Sequence, residues 1–276
     1  METRTDNYEY HKLQLKDSEF KGFSELIYKL AGINMSDGKR ALIASRLLKR
    51  VKFYHLRSYA EYLNLVTTAN NLDERNIMVN LLTTNETYFF REPPHFEILK
   101  NDILPTFQGG LFRVWSAASS SGEEAYSIAM LLDEMMGSTG WEIMGSDVND
   151  TVLEKARNAV YAIERTKDIQ DKYLKRYCMR GINNQRGKFM IRNELKRNVS
   201  FRKINLIEPL PQVGKFDVIF LRNVLIYFDN PTKKKIVESL HSALNKDGFF
   251  IVGHSETLNN VTDIMKQYKP TVYRKA

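Results

Sequence analysis

The sequence predicts an α/β domain built on a mostly parallel sheet and preceded by a small helical segment. Residues 1–84 show helical periodicity and no strand-like alternation. From Leu111 onward, short apolar runs alternate with amphipathic stretches, the pattern of strands laid side by side under helices on both faces. The run Phe216–Leu221 (FDVIFL) is almost wholly apolar, as a central parallel strand covered on both faces must be.

At 276 residues the chain has room for one large or two unequal domains. A hydrophobic share of 43% excludes a disordered chain. No run approaches the ~18 apolar residues a spanning helix needs. The polar start METRTDNYEYHK lacks the apolar stretch of a secretory signal, so a cytoplasmic protein is expected. A lone Cys178 excludes an intramolecular disulfide and a Cys-rich metal site. The formal net charge of +8 bears on partners rather than on fold. Nucleic acid, an anionic membrane face and an acidic protein surface all fit it.

In chain order, helices are expected near 18–31, 38–54, 58–68 and 72–83. Asp17-Ser18 and Ser36-Asp37 are plausible starts, with Gly32 and Gly38 as interruptions. Between Gly38 and Ala60 there are seven Lys or Arg and no acid. At helical spacing Lys39, Arg46, Lys49 and Arg50 share one face, and Ala41, Ala44, Leu48 and Val51 the opposite one. Such a face is either a solvated surface or an electrostatic docking surface. The missing acids favour docking, because solvated helices usually alternate their signs.

Residues 85–110 read as a joint between domains, with Pro93-Pro94 stopping a helix and stiffening the residues after it. Strands are then expected at 112–117, 141–146, 216–221 and 248–253. Helices are expected at 123–136, 151–159 and 231–244. Within 178–204 the pattern breaks, with Gly181, Asn183-Asn184 and Gly187 between short stretches. There Lys188–Arg192 and Val199–Phe201 read as antiparallel strands of a small β insertion. The domains are therefore 1–84 (helical), 85–110 (linker and active-site segment) and 111–276 (α/β, with the insertion at about 178–204).

Ligands of open α/β sheets sit at the carboxyl ends of the strands, where strand order reverses. Three segments should meet there. The turn Ser119–Gly122 is small enough for close backbone approach, but it lacks the glycines of a dinucleotide fingerprint and the lysine of a phosphate loop. Asp147, ending the second strand, is placed either to bind ribose hydroxyls or to cap the next helix. Arg222 and Asn223 follow the FDVIFL strand directly. A small turn, a ribose acid and no phosphate device suit S-adenosyl-L-methionine, a nucleoside without phosphates. Glu123 or Glu124 would supply negative charge near its sulfonium.

These motifs resemble the CheR family of chemotaxis-receptor glutamate methyltransferases. The carrying segments are NETYFFRE (85–92), RVWSAASSSGEEAYSIA (113–129), SDVN (146–149), FLRNVLIYF (220–228) and GHSE (253–256). The resemblance covers the chain from about residue 18 to residue 258. It implies a small all-α domain, then a Rossmann-like S-adenosylmethionine-dependent methyltransferase domain with a small β-subdomain insertion. It implies methylation of glutamates on the cytoplasmic domains of methyl-accepting chemoreceptors, leaving S-adenosyl-L-homocysteine. By motif, Asn85, Thr87, Arg91, Glu124, Asp147, Asn205, Leu206, Arg222 and Asn223 should line the cofactor. Arg91 and Tyr227 should be catalytic, with Tyr227 nearest the methyl. Two departures are visible. Ser120-Ser121-Gly122 stands where the family often has Ser-Thr-Gly, and Ala125 where it often has Pro. Neither removes a functional group.

A glutamate with an ordinary pKa of ~4.3 is ionised at neutral pH, so the reaction needs no general base. No metal is expected, because His11, His55, His95, His241 and His254 show no ligand spacing. Arg91 is expected to hold an acceptor oxygen; otherwise it is an ion pair of Glu86 or Glu92. The basic helix would steer an acidic receptor. Arg180, Arg186 and Lys188 of the insertion would receive a receptor C-terminal peptide as an added strand. A monomer with no nucleic-acid partner and no membrane insertion is expected. Two alternatives remain: a nucleic-acid methyltransferase, against which the missing Asn/Asp-Pro-Pro-aromatic motif counts, and an inactive cofactor- or receptor-binding module.

Overall fold

The computed structural model describes residues 10–276. The chain divides into two compact units, Met1–Thr84 and Asn85–Ala276.

The first unit holds helices α1 (Asp17–Ala31), α2 (Arg40–Phe53), α3 (Tyr59–Thr67) and α4 (Leu72–Leu82). At the start of α1, the Lys16 amide donates to the Glu19 carboxylate at 2.7 Å. The other Glu19 oxygen accepts the Ala60 amide at 2.9 Å, fastening α3 to α1. Gly32 ends α1 in the left-handed region, at φ 71°, where a glycine carries no Cβ clash.

Each helix buries one stripe: Phe20, Phe23 and Ile27; Ile43, Leu47 and Val51; Tyr59, Tyr62 and Val66; Met78, Val79 and Leu82. The α2 stripe is rotated from the face its spacing predicts. Ile43 and Leu47, one turn apart, are larger than Ala41 and Ala44 and take the inner positions, leaving Ala41 exposed. In this core the buried Glu74 carboxylate accepts from Arg50 Nε (2.8 Å) and Nη2 (2.5 Å), from Tyr54 (2.9 Å) and from Tyr62 (2.7 Å).

The second unit runs α5 (Pro94–Ile98), β1 (Phe112–Ser116), α6 (Glu123–Met136), β2 (Trp141–Asp147), α7 (Asp150–Asn158), β3 (Val160–Ala162), α8 (Asp171–Tyr177) and β4 (Cys178–Arg180). It continues with β5 (Lys188–Ile191), α9 (Asn193–Lys196), β6 (Val199–Lys203), β7 (Phe216–Leu221), α10 (Asn230–Ser242), β8 (Leu244–Val252), β9 (Met265–Lys269) and β10 (Val272–Lys275). Its main sheet has the order β6-β2-β1-β7-β8-β10-β9. All strands from β6 to β8 are parallel, and β10 is antiparallel to both neighbours. The chain builds one side through β2 and β6 and then returns to the other side of β1 as β7. The order therefore reverses between β1 and β7, which fixes where a ligand crevice opens.

Three expectations change here. Val199–Lys203 is an edge strand of the main sheet, parallel to β2, and not part of an insertion. Its Phe201 ring packs on Tyr126 of α6, 5.7 Å between centroids, so burial ties it to the larger layer. The separate antiparallel sheet, of order β3-β5-β4, already begins at Val160. Residues 85–110 are no free joint: Phe89, Phe96, Leu99 and Ile103 belong to the α/β core. Pro93-Pro94 begins a helix that continues through a π turn to Ile103, since proline in a first turn loses no hydrogen bond. Among the described residues no helix is long and apolar enough to cross a membrane.

The Glu74 cluster gives the first test. Burial alone would raise the Glu74 carboxyl, but its hydrogen bonds from Arg50, Tyr62 and Tyr54 outweigh burial and lower it. A carboxyl lowered by folding stabilises the native state above its unfolded pKa, and that stabilisation is lost as pH falls through the folded value. Glu74→Ala should destabilise the helical unit in urea by about 3 kcal/mol at neutral pH and flatten its acid dependence. An unchanged midpoint would contradict this.

Candidate active site

At the reversal point the ends of β1, β2, β6 and β7 present their loops together. The turn after β1 keeps its shape through Gly122, which sits at φ +95° and where a Cβ would come within 2.9 Å of the Ala156 Cβ. Gly145, in β2, is equally constrained: a Cβ there would lie 2.5 Å from the Phe201 ring and 3.0 Å from Ser119 Oγ. Both glycines let backbone approach where a side chain would fill the space.

Asp147 ends β2. One carboxylate oxygen accepts the Ser120 amide at 3.0 Å and the other the Asn149 amide at 3.0 Å. The helix-capping role belongs to Asn149, whose Oδ1 accepts the amides of Thr151 and Val152 at 3.0 and 3.3 Å. Asp147 is thus oriented by backbone and keeps lone pairs for a ligand. Burial raises its pKa, against the pull of the backbone amides.

Arg222 follows β7, and its side chain is only 1% exposed. Nη1 donates to Glu124 at 3.1 Å. Nη2 donates to Glu92 at 2.9 Å and to the Arg91 carbonyl at 2.5 Å. Ser116 Oγ completes Glu124 at 2.7 Å. Glu92 also accepts Asn223 Nδ2 at 3.0 Å and the His254 amide at 3.2 Å. The two acids on this guanidinium titrate in opposite directions. Burial raises Glu124 beyond what Arg222 offsets. Burial would raise Glu92 too, but Asn223 and Arg222 outweigh it and hold its carboxyl at about 2.

The loop after β7 is clamped from below. Buried Glu256 accepts the amides of Asn223 (2.7 Å), Gly253 (2.7 Å) and Ile226 (3.3 Å). Asn223 is left-handed, at φ 58°, and the turn Leu225–Tyr227 follows it. Tyr227 is half-buried there. Arg91 donates to the Glu86 carbonyl at 2.9 Å, with its guanidinium carbon 5.6 Å from the Tyr88 ring centre. Its contact with Glu86 is therefore to backbone and not an ion pair.

Residues 85–90 are pinned to the α/β unit. The Asn85 carbonyl accepts Ser120 Oγ at 3.0 Å. The buried Thr87 accepts Arg165 through its carbonyl. Asn205 Nδ2 donates to Glu208 at 2.8 Å beside the buried Leu206. Of the four basic residues expected to share one face, Lys39, just before α2, and Lys49 are exposed. Arg46 donates to the carbonyls of Leu82 and Thr83 at 3.2 and 2.9 Å, and Arg50 is committed to Glu74. Those two arginines fasten the helical unit together rather than forming an open face.

Sequence reasoning passed over Glu92, His95, His254, Glu256 and Arg165. Glu92 and Glu256 stand inside the quoted motifs NETYFFRE and GHSE. Their only signal was an acid inside a quoted motif, Glu92 just before Pro93-Pro94 and Glu256 three residues after Gly253.

Two family models match the chain. The one described as CheR methyltransferase, SAM binding domain, matches residues 85–274. The one described as CheR methyltransferase, all-alpha domain, matches residues 18–83. A protein of Escherichia coli named chemotaxis protein methyltransferase is 40% identical over 265 residues, covering 95% of this chain and 92% of that protein. Chemotaxis protein methyltransferase 2 of Pseudomonas aeruginosa is 38% identical over 274 residues, covering 98% and 96%. Among solved structures, glycopeptide N-methyltransferase MtfA complexed with S-adenosyl-L-methionine is similar at 11% identity and a TM-score of 0.39. That likeness covers 69% of this chain and 60% of that one.

Removing the central cation tests the site's construction. Arg222→Met should cost about 3–5 kcal/mol in urea unfolding, because it strands buried acids. Arg222→Lys should recover only part of this, since an ammonium lacks the planar fork that reaches two carboxylates and a carbonyl. A wild-type midpoint for Arg222→Met would contradict the arrangement.

Proposed function

The chain belongs to the CheR methyltransferase family, and from that membership we propose that it methylates glutamate side chains of chemoreceptor cytoplasmic domains for chemotactic adaptation. The observation that carries the reading is Asp147. It is a half-buried acid oriented by two backbone amides beside a glycine-constrained turn without phosphate-binding devices. That set fits an adenosyl group better than a nucleotide.

When bound, S-adenosylmethionine supplies a methyl on a sulfonium to a carboxylate oxygen, giving an ester and a neutral thioether with no proton to move. The protein's share is positioning and electrostatics. Asp147 holds the ribose hydroxyls. Asn85, Thr87, Asn205 and Leu206 line the adenosyl side, and Glu124 sets the negative charge beside the sulfonium. Arg222 and Asn223 hold the crevice wall through Glu92. Arg91, kept in place by its own carbonyl on Arg222, binds one oxygen of the acceptor. Tyr227 orients the reacting groups from its clamped turn. The acceptor enters ionised, so no side chain serves as base.

On the same reading the protein is cytoplasmic and monomeric. Lys39 and Lys49 steer the acidic receptor helix. A receptor tail pairs with the β4 edge of the three-stranded sheet, beside Arg180 and Ile182, the latter 73% exposed.

Incubation with methyl-labelled S-adenosylmethionine and receptor-bearing membranes should place base-labile label on the receptor. Base-stable label, or label on nucleic acid instead, would overturn the proposal. Arg91→Ala should lower kcat by about 100-fold with little change in S-adenosylhomocysteine affinity; near-normal turnover would remove Arg91 from its role. Lys39→Glu with Lys49→Glu should raise KM for the receptor and blunt the loss of rate with added salt. Unchanged kinetics would return α2 to an ordinary solvated surface.

A further inference from the structure

His95 of α5 is 1% exposed. Its Nε2 lies 2.7 Å from Thr271 Oγ1. That hydroxyl spends its proton on the Pro270 carbonyl at 2.6 Å, so it accepts from His95 Nε2–H. This tautomer leaves a lone pair on Nδ1. Nδ1 has no hydrogen-bond partner, and it faces a Glu92 carboxylate oxygen at 3.4 Å. A buried lone pair set against a carboxylate is repulsive unless a cation lies between them.

A third donor is close. The rings of His95 and His254 are 4.9 Å apart, at 69°, and ligand atoms of Glu92, His95 and His254 all lie within 4.8 Å of one another. We propose that Glu92, His95 and His254 form a binding site for a divalent transition metal of the zinc type.

Two imidazoles and one carboxylate with an open position are a recognised donor set for such ions. Tetrahedral zinc with bonds of about 2.0–2.1 Å needs donors roughly 3.4 Å apart, which the Nδ1–carboxylate spacing already meets. His254 is exposed and free to turn its ring inward. The outer contacts also suit the role. The Thr271 hydroxyl fixes the His95 tautomer, and Asn223 holds the second Glu92 oxygen at 3.0 Å. Three carboxyl groups, those of Glu92, Glu124 and Glu256, surround this corner against the single guanidinium of Arg222. A dication moves that balance toward neutrality. The donors are invisible to spacing rules because Glu92 and His95 come from one end of the α/β unit and His254 from the other.

The test uses the full-length chain without a polyhistidine tag, stripped with chelator and titrated with Co²⁺ alone, then with Zn²⁺ as competitor. One equivalent of Co²⁺ should develop visible d–d absorption that one equivalent of Zn²⁺ abolishes. His95→Gln and His254→Ala should each weaken Co²⁺ binding at least about 100-fold, the upper end of what an outer partner's loss costs. His241→Gln should bind as wild type does. Absence of the absorption overturns the proposal, and so does wild-type affinity in His254→Ala. Because His254 is exposed, that variant decides even if His95→Gln fails to fold.

Discussion

The buried guanidinium of Arg222 organises this site. Desolvating a positive charge costs several kcal/mol, and only a full set of oxygen partners offsets it. Glu92, Glu124 and the Arg91 carbonyl provide that set. They come from the end of the NETYFFRE stretch and the start of α6, so one side chain closes separate parts of the chain onto the β1/β7 reversal. The surrounding backbone is unusual for the same reason. Phe90, Glu92 and Asn223 all hold positive φ, 53°, 58° and 58°. Each costs of order 1 kcal/mol in a non-glycine residue, and the polar bonds meeting at Arg222, together with the Glu256 clamp, keep them there.

The helical unit inverts this logic. There the buried charge is an acid, Glu74, and one arginine with two tyrosines surrounds it. Arginine thus serves the interior in both units, through its planar fork. Lysine stays outside: Lys39 and Lys49 remain available for an acidic partner once Arg46 and Arg50 have been drawn inward.

Much of this was legible in sequence, for physical reasons. Helical periodicity located α1 to α4. The apolar runs located β1, β2, β7 and β8, because strands buried on both faces admit almost nothing polar. The position of Asp147 at the end of β2 was readable from the strand that leads to it. Burial geometry was harder to read. Lys39, Arg46, Lys49 and Arg50 share a face by spacing, yet spacing does not reveal that Arg50 meets an acid on α4. The edge strand β6 is short and half-polar, so nothing local separates it from the small sheet. The strands β9 and β10 carry mixed polar residues and were missed for the same reason. Glu92, His95, His254 and Glu256 meet only through the β8 connection, about 160 residues apart in chain (roughly the whole α/β unit).

A structure of the chain with S-adenosylhomocysteine tests the central claim most directly. The account predicts the ribose hydroxyls on the Asp147 carboxylate and the thioether sulfur facing the crevice between Arg91 and Tyr227, with Arg222 still bound to Glu92 and Glu124. A ribose placed elsewhere, or an Arg222 side chain released from its acids to bind the ligand, would contradict it.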